Sequence, residues 1–141
     1  MTAQVTSNGP LSMDAMQNEV LAEVRNHIGH LTLNRPAGLN ALTLDMVRNL
    51  HRQLDAWAQD PHGHAVVLRG AGEKAFCAGG DIRSLYDSFK NGDTLHEDFF
   101  VEEYALDLLI HRYRKPVLVL MDGFTLGGGM GLAQGLSLIH I

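Results

Sequence analysis

Residues 65–81 read Ala65-Val66-Val67-Leu68-Arg69-Gly70-Ala71-Gly72-Glu73-Lys74-Ala75-Phe76-Cys77-Ala78-Gly79-Gly80-Asp81. The first six form a compact, mostly apolar run of strand length, and the remainder is a loop of small residues that closes on two glycines and an aspartate. A second stretch repeats the plan: Val117-Leu118-Val119-Leu120-Met121 is another apolar run, Asp122 to Leu126 follows, and Gly127-Gly128-Gly129-Met130-Gly131 leads into a helix that begins near Gly128 and continues through Gln134. Two buried strands that each pass through a glycine loop into a helix describe an α/β protein. In such proteins ligands collect beyond the carboxyl ends of the strands.

Upstream, Val20 to Val24 and Ile28 to Leu33 read as two short strands joined by the polar Arg25-Asn26-His27, and Asn34-Arg35-Pro36 ends the second. Thr43 is the N-cap of a helix running to about Gln59, with Asp45 in its first turn. Leu44, Val47, Leu50, Leu54 and Trp57 recur every three or four residues and form its core stripe. A helical crossover between Leu33 and Ala65 favours parallel pairing of the flanking strands. Between the two glycine loops, helices are expected at about Asp81 to Lys90 and Thr94 to Arg112, parted by Asn91-Gly92. Residues 1–17 are polar and mixed and are expected to form a flexible leader. Phe76, Phe89, Phe99 and Phe100 are expected in the core or a pocket wall.

The chain has 141 residues and 15 glycines, and the glycines matter through where they fall. Its 11 basic and 16 acidic residues leave a net charge of -5, so no sequence-independent hold on nucleic acid or an anionic membrane is expected. One cysteine, Cys77, excludes an intrachain disulfide framework and a four-thiolate zinc site. No apolar stretch is long enough to span a bilayer. Met1 to Leu21 has neither a basic start nor an apolar run and carries Asp14 and Glu19, so the expected location is cytoplasmic.

Several signatures fail on spacing. From Gly127 the sixth position is Leu132 and from Gly129 it is Gln134, so the dinucleotide fingerprint is absent. There is no phosphate-loop lysine, no serine elbow, and no second histidine for His96-Glu97. His62 and His64 read as a solvated loop, and no metal site is expected. The two glycine loops remain. One free amide from each can converge on a single oxygen and stabilise negative charge, an oxyanion hole made of backbone. The alternative from spacing alone is that the glycines only permit tight turns and close packing.

Four segments in order resemble the crotonase superfamily, the enoyl-CoA hydratase/isomerase family: Asn34-Arg35-Pro36, Leu39-Asn40-Ala41-Leu42, Ala75 to Asp81, and Gly127-Gly128-Gly129. The resemblance implies a crotonase-like spiral of ββα repeats, here truncated, with residues 18–138 as the N-terminal part of the domain and 139–141 as an atypical tail. It implies that Gly80 and Gly128 donate the two amides to a thioester carbonyl. It also implies that Asn40, Ala41, Cys77, Ala78 and Gly79, with Asp81 beside them, border the coenzyme A channel, and that Glu103 enters the acyl pocket. Read from the residues alone, Glu103 belongs to an acidic stretch from Asp93 to Asp107 that suits a solvated helix face. Cys77 has no histidine placed beside it and reads as a small-residue loop position, not a nucleophile.

Hydratases of this family carry a glutamate three positions after the middle glycine, where this chain has Gly131. That departure, with Phe76 to Arg83, Phe99-Phe100 through Tyr104, and Gly127 to Leu132, resembles the branch of the family that hydrolyses 3-hydroxyisobutyryl-CoA in valine breakdown. The expected partner is thus an acyl-CoA substrate, with coenzyme A a part of it and no separate cofactor; the complete enzyme is allowed to be an oligomer. In the hydrolase branch a Glu and an Asp follow the glycine triplet by roughly 20 to 30 positions, beyond Ile141, so this chain alone is expected to be inactive. Two readings stay open beside it: a hydratase or isomerase, and an acyl-CoA-binding protein without catalysis.

Overall fold

The structure is a computed structural model and describes residues 18–134 and 138–140. The expected leader, residues 1–17, lies outside the described residues. The chain opens with β1 (Val20–Arg25) and β2 (Ile28–Leu33), which pair antiparallel with Val20 opposite Leu33. Asn26 and His27 take the turn with φ 51° and 64°, the left-handed region that a tight hairpin requires and that asparagine tolerates. Helix α1 (Leu44–Gln59) then carries the chain back so that β3 (Ala65–Gly70) lies parallel to β2, Ile28 opposite Ala65. Beyond it lie β4 (Ala75–Cys77), α2 (Ile82–Asn91), α3 (Leu95–His111), β5 (Val117–Leu120), β6 (Phe124–Thr125), α4 (Gly128–Gln134) and β7 (Leu138–His140).

Strand order in the main sheet is β1-β2-β3-β5-β7, parallel from β2 onward, and β4 and β6 form a second, two-stranded parallel sheet. The element order is thus a ββα unit repeated three times, with an extra helix in the second. Each later unit sends its first strand to the main sheet and its second to the small one. β5 stops at Leu120, one residue short of the end of the second apolar run, and Leu138–His140, which takes in two residues of the expected tail 139–141, pairs with β5.

α1 starts where the sequence places it. Thr43 Oγ1 accepts from the Met46 amide at 3.2 Å and donates to Glu19 Oε2 at 2.8 Å, which ties the helix start to the residue before β1. At the other end the Lys115 ammonium donates to the carbonyls of Trp57 and Asp60, capping the helix C-terminus with a cation. The core joins Val47, Leu50, Leu54 and Trp57 of α1 to Leu31, Leu33, Val66, Leu68, Val117 and Val119 of the sheet. Each such fully buried side chain contributes about 1.5–3 kcal/mol relative to exposure. Gly29 lets β2 approach α1, because a Cβ there would strike the Trp57 ring.

Three expectations are corrected. β3 and β5 are buried on one face only: Val66, Leu68, Val117 and Val119 are buried while Val67, Arg69, Leu118 and Leu120 on the other face are partly exposed. The loop after β3 is not structureless, since Ala75–Cys77 pairs with Phe124–Thr125 of the other loop. That pairing is non-local and so leaves no periodic trace in either segment. Phe76 and Phe99 are in the core, but Phe89 and Phe100 are exposed, at 70% and 46%, each met edge-on by one ring, His96 and Phe99 respectively, that leaves much of it in solvent.

Candidate functional site

The first glycine loop is held from outside itself. Leu39 and Asn40 adopt φ of 54° and 55°, turning the chain so that the Asn40 side chain points inward. Asn40 is completely buried, and its Nδ2 donates to the carbonyls of Ala71 and Ala75, both at 2.9 Å, while its Oδ1 accepts from the Arg35 amide at 2.9 Å. A buried amide with three bonds of good geometry fixes both sides of the loop. Backbone bonds complete the clamp: Leu42 N donates to Gly79 O at 2.7 Å, Ala78 N to Leu39 O at 3.0 Å, and Asp81 N to Leu42 O at 2.9 Å. Arg35 adds a bond to Ala41 O at 2.7 Å and an ion pair to Asp81 at 3.4 Å.

The second loop is brought against the first by β4 and β6. Leu126 N donates to Cys77 O at 3.0 Å and Phe124 N to Lys74 O at 3.0 Å. The contact is close enough to require glycine on both sides. Gly79 has φ 96°, and a Cβ on it would lie 3.0 Å from Leu126 O and 3.4 Å from Gly128 N; a Cβ on Gly129 would strike Cys77. Gly80 and Gly128 therefore lie on facing loops, and among the described residues neither of their amides donates a hydrogen bond.

Behind this junction runs α3. Glu103, read from the residues as one of a solvated acidic face, is 6% exposed, and its carboxylate occupies the space a side chain on Gly128 would need. Burial raises its pKa above the ordinary carboxylate value. One turn further along α3, Asp107 lies against α4 in the same way: a Cβ on Gly131 would come within 2.7 Å of its Oδ2. Its Oδ1 is buried without a partner, and burial, then the Glu103 charge, pushes its carboxyl up to about 6.

The structure thus brings Gly79, Gly80, Gly128 and Glu103 together. The Asn40 and Cys77 side chains point into the interior, so what they can offer a ligand is backbone, and Ala41 and Ala78 are partly exposed beside them. Burial pushes the Cys77 thiol up to about 11, which leaves it protonated and unreactive. Asp81 is bound by the Ser84 hydroxyl at 2.8 Å and by Arg35. Burial works against its ionisation, yet these partners outweigh it and hold its carboxyl below the ordinary value. Sequence reasoning missed Arg35 as the link between the two sides of the clamp and Asp107 as a buried group. For Asp107 a signal was present: four residues separate it from Glu103, one turn of one helix face.

The family model for enoyl-CoA hydratase/isomerase matches residues 28–139. The chain is 48% identical over 115 residues to the mitochondrial 3-hydroxyisobutyryl-CoA hydrolase of Gallus gallus, covering 82% of this chain and 30% of that protein. It is 47% identical over 126 residues to the Danio rerio protein of the same name, covering 89% and 33%. The chain therefore spans about a third of the length of these curated relatives. Among solved structures, a carnitinyl-CoA dehydratase from Mycobacterium thermoresistibile superposes with a TM-score of 0.84 at 41% identity over 86% of this chain and 36% of that one. An enoyl-CoA hydratase from Rhodobacter sphaeroides gives 0.81, also at 41% identity, over 85% and 36%.

These names overturn one expectation. The relatives are mitochondrial, whereas the absence of a targeting pattern in Met1 to Leu21 had suggested the cytoplasm. A targeting segment is a separable address and no part of the packed fold, so its absence from a stretch of sequence says nothing of location. The match over residues 28–139, the ββα repeat and the fit to solved relatives converge: the chain belongs to the enoyl-CoA hydratase/isomerase family.

Proposed function

We propose that the chain forms the thioester-binding part of a hydrolase that converts 3-hydroxyisobutyryl-CoA and water to 3-hydroxyisobutyrate and free coenzyme A. The observation that carries the reading is the facing pair of unengaged amides, Gly80 and Gly128, on loops whose contact only glycine permits. Two such donors aimed at a thioester oxygen stabilise the charge that develops when water adds to the carbonyl carbon. As the carbonyl re-forms, the carbon–sulfur bond breaks and coenzyme A leaves as its thiol. Each donor of this kind is worth about 10²–10³ in rate. Coenzyme A enters as part of the substrate. Glu103, buried beside Gly128, accepts a hydrogen bond from the acyl hydroxyl. The relatives' names support the acyl group and a mitochondrial location, and a place in valine breakdown rests on the family resemblance.

A hydratase reading is disfavoured at Gly131, which offers water no carboxylate of its own. The test is thiol release from 3-hydroxyisobutyryl-CoA by the full-length protein, run beside hydration of crotonyl-CoA. Thiol release without hydration is the expected result, and hydration without thiol release would overturn the proposal.

A further inference from the structure

Glu103 and Asp107 stand one turn apart on α3 and both project against α4, each into space left by a glycine. The two glycines and the two acidic residues are spaced alike along their helices, three and four positions apart. Three residues of α4 rise about 4.5 Å, and residues one turn apart on a helix lie about 5–6 Å apart. A single oxygen that makes two hydrogen bonds of about 2.7 Å spans that interval. The two groups are not equally provided for, because Asp107 Oδ1 is cut off from solvent with no donor to meet it. A buried carboxyl oxygen without a partner carries a desolvation cost that a ligand's hydroxyl would relieve.

We propose that Asp107 is a second specificity-determining residue of this site, its carboxyl group and that of Glu103 holding the hydroxyl of a hydroxylated acyl group between them. The inference rests on the hydrolase reading and adds a residue to it. A hydroxyl has one proton to donate and lone pairs to accept with, so it matches a pair of carboxyl groups of which one is ionised and one protonated. The burial of Glu103, the partial burial of Asp107 and the repulsion Glu103 adds at Asp107 raise both carboxyls and so move the pair toward that state. An acyl group without the hydroxyl leaves both carboxyls unmatched, which is how a polar pocket rejects a plain analogue.

The experiment compares kcat/KM of the full-length protein for 3-hydroxyisobutyryl-CoA and isobutyryl-CoA, read as thiol release. Asp107→Leu is expected to lower the ratio between the two esters about tenfold, and Asp107→Asn, which keeps a hydrogen-bonding side chain, to preserve most of it. Gly131→Ala keeps Asp107 but sets a methyl group against its carboxylate, and is expected to lower the ratio in the same direction. Equal losses on both esters, or an unmoved ratio in Asp107→Leu, would overturn the inference and leave the hydrolase reading standing. Turnover of neither ester by the parent protein would overturn both.

Discussion

The loop after β3 and the loop after β5 both carry a strand through glycines into a helix, but they are held in different ways. The first is pinned by side chains from another part of the chain: Asn40 bonds to Ala71 and Ala75, and Arg35 bridges Ala41 and Asp81. The second is held by backbone bonds to Lys74 and Cys77, and by the missing side chains at Gly128, Gly129 and Gly131. Their carboxylates respond in opposite directions. Asp81, paired and hydrogen-bonded, is held below the ordinary value, while Asp107, buried without a donor at Oδ1, is pushed up to about 6. A polar clamp places a loop firmly whatever fills the site. Packing against glycine leaves neighbouring charges unmatched, and so ready for a ligand.

The comparison breaks most sharply at Gly128. Proline is tolerated at the first position of a helix, which Gly128 occupies in α4, but has no N–H. Gly128→Pro in the full-length protein is expected to lower kcat by about 10²–10³ below Gly128→Ala, which carries the same intrusion on Glu103 but keeps the amide. Equal rates for the two variants would remove the amide from the mechanism.

The clamp of the first loop is tested at Asn40. Asn40→Leu leaves the buried Ala75 carbonyl and the partly buried Ala71 carbonyl and Arg35 amide without their partner, and is expected to destabilise the full-length protein by about 3 kcal/mol in urea unfolding. A loss below about 1 kcal/mol would show that the loop is held by its backbone alone, as the second one is.

The smallest effects are the two pH signatures. Asp81 has a depressed folded pKa, so it stabilises above its unfolded value near 4, and that contribution is lost as pH falls through the lower folded value. Asp107 has a raised one, so its contribution is present below about 4 and is lost as pH rises through about 6. Asp81→Asn is therefore expected to lower the melting temperature at pH 7 and to do so less as the solution is acidified below 4. Asp107→Asn is expected to raise it at pH 8 and to change it little at pH 4. Matching pH profiles for the two variants would erase the contrast between the loops.

Much of the fold was legible because it is local. The α1 stripe, the Thr43 cap and the apolar runs of β2, β3 and β5 are short-range patterns that packing leaves in place. β4 and β6 were not, because strands of three and two residues exist only through their pairing across 48 and 49 positions. The burial of Glu103 was not legible through its own neighbours, since an acidic run of this kind ordinarily faces water. Phe89 and Phe100 misled for the converse reason, as aromatic character records a preference for burial and not how much of the ring its neighbours cover.

The sequence by itself determined the helices, the strands β1, β2, β3 and β5, the two glycine loops and the family, because these rest on periodicity, capping and motifs read along the chain. Tertiary structure alone decided what those loops do to one another. It set Gly79 against Gly128 and pointed Asn40 inward to clamp residues over 30 positions away. It also turned Glu103 from a surface stretch into a buried carboxyl and set Asp107 beside it, partly buried with Oδ1 cut off from solvent. The physical reason is that hydrogen-bond partners and desolvation are properties of what lies nearby in space, and only packing sets that distance.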